Sequence, residues 1–259
     1  MPNCHEALAI LDTLAPLSLA AGWDNVGLLL EGDRAIRSAL LTIDLTQPVL
    51  EEAIDADVDL VIAYHPPVFT GLKRVTRATH TGRSLLELAR RGVHIYSPHT
   101  ALDAVAGGLN DWLLSAFGEA TEVQPIEPDP GQPEVGVGRI ATLLTPRSVG
   151  ELTLTVKRFL ELDAVRVCGN PSQLIRRVAV CPGAGGSVFA GLKDVDLLLT
   201  GEMRHHDVLG FAARGTATML TDHTNTERGY LPIYAARIAA ALGIEVRLSE
   251  RDADPLTIR

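Results

Sequence analysis

Two periodicities alternate along the chain. Ala7, Leu8, Leu11 and Leu14 recur at helical spacing, so the chain is predicted to open on an amphipathic helix. Asn3 can cap it, Glu6 three residues on can complete a capping box, and Pro16 closes it. Ala21-Gly22-Trp23-Asp24-Asn25-Val26-Gly27 is rich in turn formers and runs into apolar Leu28-Leu29-Leu30. There Trp23 is expected to pack inside, and Asp24 and Asn25 to form the turn. Continuous apolar runs predict buried strands over 38–43 and 59–63, with a helix over 48–56 begun by Thr46. A second helix is predicted over 82–91, and a β-rich run led by Gly92 follows it. Gly107-Gly108 then breaks the chain before an amphipathic helix around 109–117.

From Gly118 to Gly138 the character changes. Pro125, Pro128, Pro130 and Pro133 are interleaved with Glu122, Glu127, Asp129 and Glu134, a composition that favours an extended linker. Residues 125–137 are therefore the expected boundary between a first α/β repeat, 1–124, and a second, 138–259. Beyond it the pattern predicts a strand over 139–144, a helix over 148–160 and strands over 164–167, 177–181 and 196–200. A helix opened by 201–207 follows, then a β-rich run at 215–220. The last helix starts near Leu231 with Pro232 at its first position, ends before Gly243, and leads to a strand over 244–248. The Gly-rich turn Pro182-Gly183-Ala184-Gly185-Gly186-Ser187 matches neither a P-loop nor a dinucleotide fingerprint. A tight structural turn is expected there instead of a phosphate cradle.

The two halves resemble each other. Val58-Asp59-Leu60-Val61-Ile62-Ala63-Tyr64-His65 aligns with Val195-Asp196-Leu197-Leu198-Leu199-Thr200-Gly201-Glu202, with a strand and a short helix at nearly the same distance before each. A helix and a strand follow in both cases, so the chain reads as two copies of one α/β unit.

Each copy ends on the same order of side chains: His99-Thr100-Ala101-Leu102-Asp103 in one, His223-Thr224-Asn225-Thr226-Glu227 in the other. Thr followed three residues later by an acid also fits a capping box. Capping does not call for a His before the Thr, and a helix beginning near Leu231 leaves Glu227 in a loop. Two imidazoles and two carboxylates make a nitrogen and oxygen ligand set suited to zinc, iron or manganese. His65, at the end of a buried strand and followed by Pro66-Pro67, is the natural fifth donor.

Length and charge narrow the function. A chain of 259 residues with 46% hydrophobic content can bury a full core. A net charge of −9 disfavours a nucleic-acid or anionic-membrane footprint. Cys4, Cys168 and Cys181 form no paired spacing, which argues for free thiols in a reducing compartment. With no signal-peptide pattern or membrane-length apolar run, a cytoplasmic protein is expected.

Five stretches together resemble a known family: Trp23-Asp24-Asn25-Val26-Gly27-Leu28, His65-Pro66-Pro67-Val68-Phe69, Ser97 to Asp103, Gly201-Glu202-Met203-Arg204-His205-His206-Asp207 and Asp222 to Gly229. They are similar to the NGG-interacting-factor-three-like proteins, also known as GTP cyclohydrolase I type 2 homologues. The resemblance implies two intertwined α/β repeats with mixed sheets and a metal site between them. It also implies up to two divalent ions per chain and a ring-shaped homohexamer. Carried onto this sequence, the family's ligands fall on His65, His99, Asp103, His223 and Glu227. Many bacterial members have a second His where this chain has Tyr64, so one firm and one weaker metal site are expected, with Tyr64 or water in the missing position. Hydrolysis by metal-bound hydroxide suits such a centre, with a small molecule such as a nucleotide as substrate. Glu227, His205 and His206 are then the candidate catalytic groups, and Glu202 a supporting one. The alternative is a non-enzymatic metal-binding protein, a metal chaperone or regulatory partner.

Overall fold

The structure, a computed structural model, describes residues 2–256. The chain begins with α1 (Cys4–Leu14), β1 (Gly27–Leu30), β2 (Ser38–Thr42), α2 (Gln47–Asp55), β3 (Leu60–Ala63), α3 (His80–Arg90), β4 (His94–Ser97) and α4 (His99–Ala104). It continues through α5 (Leu109–Leu114), β5 (Ala120–Gln124), β6 (Glu127–Pro128), β7 (Gly136–Val137), β8 (Arg139–Ser148), α6 (Val149–Phe159) and β9 (Arg166–Cys168). Then come β10 (Leu174–Cys181), α7 (Gly186–Phe189), β11 (Leu197–Thr200), α8 (His205–Ala212), β12 (Ala217–Leu220), α9 (Leu231–Leu242) and β13 (Glu245–Leu248). Local signals account for many of the ends. Asn3 and Glu6 form the expected capping box of α1, Ser148 and Glu151 form another on α6, and Gly243 ends α9 in the left-handed conformation. No helix among the described residues is long and apolar enough to cross a membrane.

Two compact units result. One comprises the described residues up to Leu102 together with Tyr230–Pro255, and the other is Asp103–Gly229. The chain thus divides at Leu102 and again at Gly229, not at the Pro-rich stretch 125–137. The physical reason lies in main-chain pairing. β13 runs parallel to β2 with Val246 opposite Ala39, and Ile43 N–H donates to the Asp252 carboxylate at 2.7 Å. These bonds make the C-terminal helix and strand part of the first unit. Residues 125–137 are held inside the second unit, where β6 pairs with β7 and the buried Arg139 guanidinium donates to the carbonyls of Gly136 at 2.7 Å and Gly138 at 2.8 Å.

Each unit carries one mixed sheet. In the first the order is β1-β4-β3-β2-β13, with β1 antiparallel to β4 and the rest parallel. In the second it is β5-β8-β10-β11-β12-β9, with β10, β11 and β12 parallel. The triplets β2-β3-β4 and β10-β11-β12 are the two repeats, and their equivalence extends to single bonds. Asp59 Oδ2 accepts from Arg37 N–H at 2.9 Å, and Asp196 Oδ2 accepts from Arg176 and Arg177 N–H at 2.8 Å. In both, the acid at the start of the middle strand ties down the entry to its neighbour. Fully buried β3 and β11 carry the continuous apolar character that two-sided coverage of a parallel strand demands. Val61, Leu40, Ile95 and Leu88 centre one core, and Leu197, Val178, Met219 and Val156 the other.

Burial opposes ionisation of Asp59, but hydrogen bonds from the Arg37 side chain and backbone, with the charges of Arg37 and Arg34, outweigh it and hold the pKa below the ordinary aspartate value. A carboxyl depressed in the folded state contributes stability above its unfolded pKa of about 3.9, and that stability is lost as pH falls through the folded pKa. The unfolding free energy of the parent is expected to fall more steeply below about pH 4 than that of Asp59→Asn, measured by urea titration at each pH. Arg139→Ala takes the guanidinium from the Asp111 carboxylate, to which Gly107 N–H still donates, and from two loop carbonyls. It is expected to cost about 3 kcal/mol by the same measurement.

Candidate metal centre

In the first unit, two histidines lie just beyond the C-terminal ends of adjacent parallel strands, the end at which open α/β sheets concentrate chemistry. His65 lies two residues past β3, and its N–H donates to Ile43 C=O at 3.0 Å. Its ring Nδ1 is 3.0 Å from Oδ1 of Asp44, which lies two residues past β2. His99 lies two residues past β4, in the left-handed region at φ +27°, a conformation that costs energy in a non-glycine residue. Its Nδ1 is 2.8 Å from Asp24 Oδ1, while Asp24 Oδ2 accepts the Thr100 N–H at 3.2 Å and the Thr100 hydroxyl. Thr100 therefore works with Asp24 at the start of α4, not as the first half of a capping box with Asp103. Burial raises the Asp24 pKa, but the bonds from His99 and Thr100 win and leave it lowered, so the carboxylate stays charged. The rings of His65 and His99 are 5.4 Å apart and nearly perpendicular at 82°. The ring of buried Tyr64 packs against both, at 5.0 and 5.4 Å.

In the second unit, β12 ends at Leu220 and the chain again turns left-handed two residues on, at Asp222 with φ +64°. The two strand exits thus match position for position, but the His itself takes the strained site in the first repeat and follows it in the second. His223 Nε2 faces Glu227 Oε1 at 3.4 Å, and its Nδ1 faces Glu202 Oε1 at 3.5 Å. These His223 and Glu227 donor atoms lie within 4.8 Å of one another, near enough to ligate one ion. The Glu227 side chain is 3% exposed, an expensive place for a carboxylate unless a cation or hydrogen bonds compensate it. Thr226 fixes the loop, its hydroxyl donating to His223 C=O at 2.6 Å and accepting from Gly183 N–H at 2.8 Å. A Cβ at Gly183 would come within 2.9 Å of Glu227 Oε1 and 3.0 Å of His223 Nε2. The Gly-rich turn is thus the wall of this site. It is the structural turn expected, because its amides at Gly183 and Gly185 are engaged by Thr226 and Thr200.

One pattern unites the histidines. Each has Nδ1 against a carboxylate of its own unit, the arrangement that fixes the tautomer of a metal-ligating imidazole and reserves Nε2 for the metal. The donor set fits a divalent ion. Asp103 follows His99 by one turn of α4. Burial first, then the charges of Asp103, Glu127 and Glu227, push up the thiol pKa of Cys181 at the end of β10. His205 and His206 are exposed on the first turn of α8 with rings 5.5 Å apart. A pocket of about 480 Å³ opens beside Glu202, lined by Ser187, Met203, Arg204 and Asp207 among others.

Asp24 and Asp44 carried no sequence signal for this role. Asp24 stands 75 residues from the ring that it orients, in a stretch whose composition reads as a turn. The expectation for Trp23 is overturned: its side chain is 66% exposed, because Asp24 turns inward to His99 and the preceding residue is left facing out.

A family model described as Duf34/NIF3 (NGG1p interacting factor 3) matches residues 2–255. The protein NIF3 homolog of Schizosaccharomyces pombe is 42% identical over 96% of this chain and 95% of its own length. NGG1-interacting factor 3 of Saccharomyces cerevisiae is 38% identical over 91% of this chain and 90% of its own. In fold, the chain is similar to a Bacillus cereus protein related to NIF3, with a TM-score of 0.87 at 20% identity over 100% of this chain and 99% of that one.

Gly183 has φ +62°, so Gly183→Ala adds a left-handed strain of about 1–2 kcal/mol to the contact with Glu227 and His223. A lowered urea midpoint is expected, and a midpoint equal to the parent's would contradict the tight approach described.

Proposed function

The chain belongs to the Duf34/NIF3 family, and from that membership and the donor geometry we propose that it is a metal-dependent hydrolase. His65, His99, Asp103, His223 and Glu227 would hold one divalent ion firmly, zinc, iron or manganese, and a second more weakly. The observation that carries the reading is the carboxylate on Nδ1 of each His: Asp44 on His65, Asp24 on His99 and Glu202 on His223. Structural histidines do not need a set of three such partners, whereas ligating ones do. A metal bound there supplies Lewis acidity and lowers the pKa of a bound water to about 7.

The rest falls to the protein's own groups. Asp24 and Asp44 hydrogen-bond two of the imidazoles at Nδ1, and Glu202 lies 3.5 Å from Nδ1 of the third, an arrangement that directs each Nε2 away from the carboxylate. Glu227, buried and beside His223 Nε2, is suited either to ligate or to take a proton at Oε1. His205 and His206, exposed at the start of α8, are groups for proton exchange with solvent. Tyr64 fills the place of a further imidazole and packs on His65 and His99, which weakens the second site. We read the assembly as a cytoplasmic homohexamer acting on a small molecule, a nucleotide among the candidates. The name of the Saccharomyces cerevisiae relative, NGG1-interacting factor 3, favours a second reading: a metal-binding protein that serves a protein partner without turnover.

Elemental mass spectrometry of the purified protein against His223→Ala with Glu227→Ala tests the centre. Metal in the parent and none in the variant is expected, and equal near-zero metal in both sinks the reading. Asp24→Asn is expected to weaken metal affinity by about 10- to 100-fold with the fold intact, and Tyr64→His to raise occupancy of the second site. Hydrolysis of nucleotides or phosphoesters that depends on metal and on Glu227 favours the enzyme. Full metal occupancy without turnover across that screen favours the partner protein.

A further inference from the structure

The residue after β2 presents a donor that its counterpart in the second repeat lacks. In the parallel register Thr42 lies opposite Ala63 and Cys181 opposite Thr200, so Ile43 and Pro182 are equivalent positions. Proline has no backbone N–H, whereas Ile43 is fully buried and brings one that needs an acceptor. Beyond β13 the ladder continues as far as Ser249, whose N–H donates to Leu41 C=O at 2.9 Å. The Asp252 carboxylate then takes the Ile43 N–H at 2.7 Å.

The segment that carries Asp252 is clasped to α2. Glu52 accepts from the Ser249 hydroxyl, from Glu250 N–H at 2.8 Å and from Arg251 N–H at 3.2 Å. The Arg251 guanidinium reaches Asp55 Oδ2 on the same helix at 3.3 Å. Burial raises the Glu52 pKa, but these bonds outweigh it and hold the group below the ordinary glutamate value. The clasp fixes the direction from which Asp252 meets Ile43.

The Ile43 peptide leads directly to a candidate ligand. Its C=O accepts His65 N–H at 3.0 Å, and the next residue is Asp44, whose Oδ1 meets His65 Nδ1 at 3.0 Å. Fixing this one peptide therefore sets both the backbone of His65 and the carboxylate on its ring. We propose that Asp252 is a positioning residue for His65, acting through the Ile43 peptide to hold the imidazole and Asp44 in the ligating arrangement. The inference rests on the reading of His65 as a metal ligand and adds to it a residue from beyond β13. His94 supplies an internal reference. It opens β4, at the opposite end of the strands, and its Nδ1 accepts from Gly32 N–H at 3.0 Å.

Ring-nitrogen chemical shifts of His65 and His94, measured on the full-length protein freed of metal by chelation, test this. Zinc affinity by chelator competition and a urea midpoint are measured on the same variants. In Asp252→Ala the His65 shifts are expected to move and those of His94 to stay. The zinc Kd is expected to rise about tenfold, the lower end of what losing a partner behind a metal ligand costs. Asp252→Asn keeps an acceptor oxygen and is expected to restore the parent shifts and Kd. A lowered urea midpoint with His65 shifts and zinc Kd unchanged makes Asp252 structural only and overturns the proposal. So does a change of equal size at His94, or an Asn variant as impaired as the Ala one. A parent that binds no zinc sinks the metal reading; moved His65 shifts then still support the positioning role, and unmoved ones overturn it.

Discussion

Parallel pairing of three short strands, repeated once in each unit, is the constraint from which the rest follows. A parallel ladder forces every strand to end at the same edge, and it requires a crossover between one strand and the next. Residues that follow strands 19 or more positions apart in sequence are thereby brought to one edge. Asp44, His65 and His99 follow β2, β3 and β4, and Gly183, Glu202 and His223 follow β10, β11 and β12. The central strands β3 and β11 are buried along their whole length and almost entirely apolar, so the candidate donors lie just past the strand ends.

At those ends the repeats diverge. Position 65 is a histidine in the first repeat and its counterpart is Glu202 in the second, where it supports His223 at Nδ1. Position 44 is a carboxylate, while its counterpart is Gly183, whose missing side chain lets Glu227 and His223 close in. A duplicated scaffold has thus been given complementary donors: two imidazoles on one edge, an imidazole and buried carboxylate on the other. The strained exits at His99 and Asp222 are retained in both copies, which marks the turn itself as the feature that aims the ligand loops.

Much of this was legible in the linear chain. The paired His-Thr-x-x-acid loops, the aligned strands with Asp59 and Asp196, and the capping box of α1 all depend on contacts within a few residues or on direct repetition. Asp24 was legible only as a turn former, since nothing in local spacing links it to a ring 75 residues away. Trp23 was misplaced for the same reason: hydrophobicity predicts burial on average, and here the neighbouring carboxylate's bond to His99 decides which way the loop faces. The Pro-rich stretch misled in the opposite direction. Its composition suits a linker, but a guanidinium at Arg139 and a two-residue ladder are enough to fasten it.

What the amino-acid order determined by itself is most of the longer helices and the strands of the two repeats, the duplication and the types of donor that end each repeat. Those follow from periodicity, capping and residue chemistry, all of which act over a few positions along the chain. Tertiary structure decided the rest: that β13 completes the first sheet, that each imidazole has a carboxylate at Nδ1, and that Asp252 meets the exit of β2. Such outcomes depend on main-chain pairing and side-chain bonds between residues far apart in sequence, whose energies no local window contains.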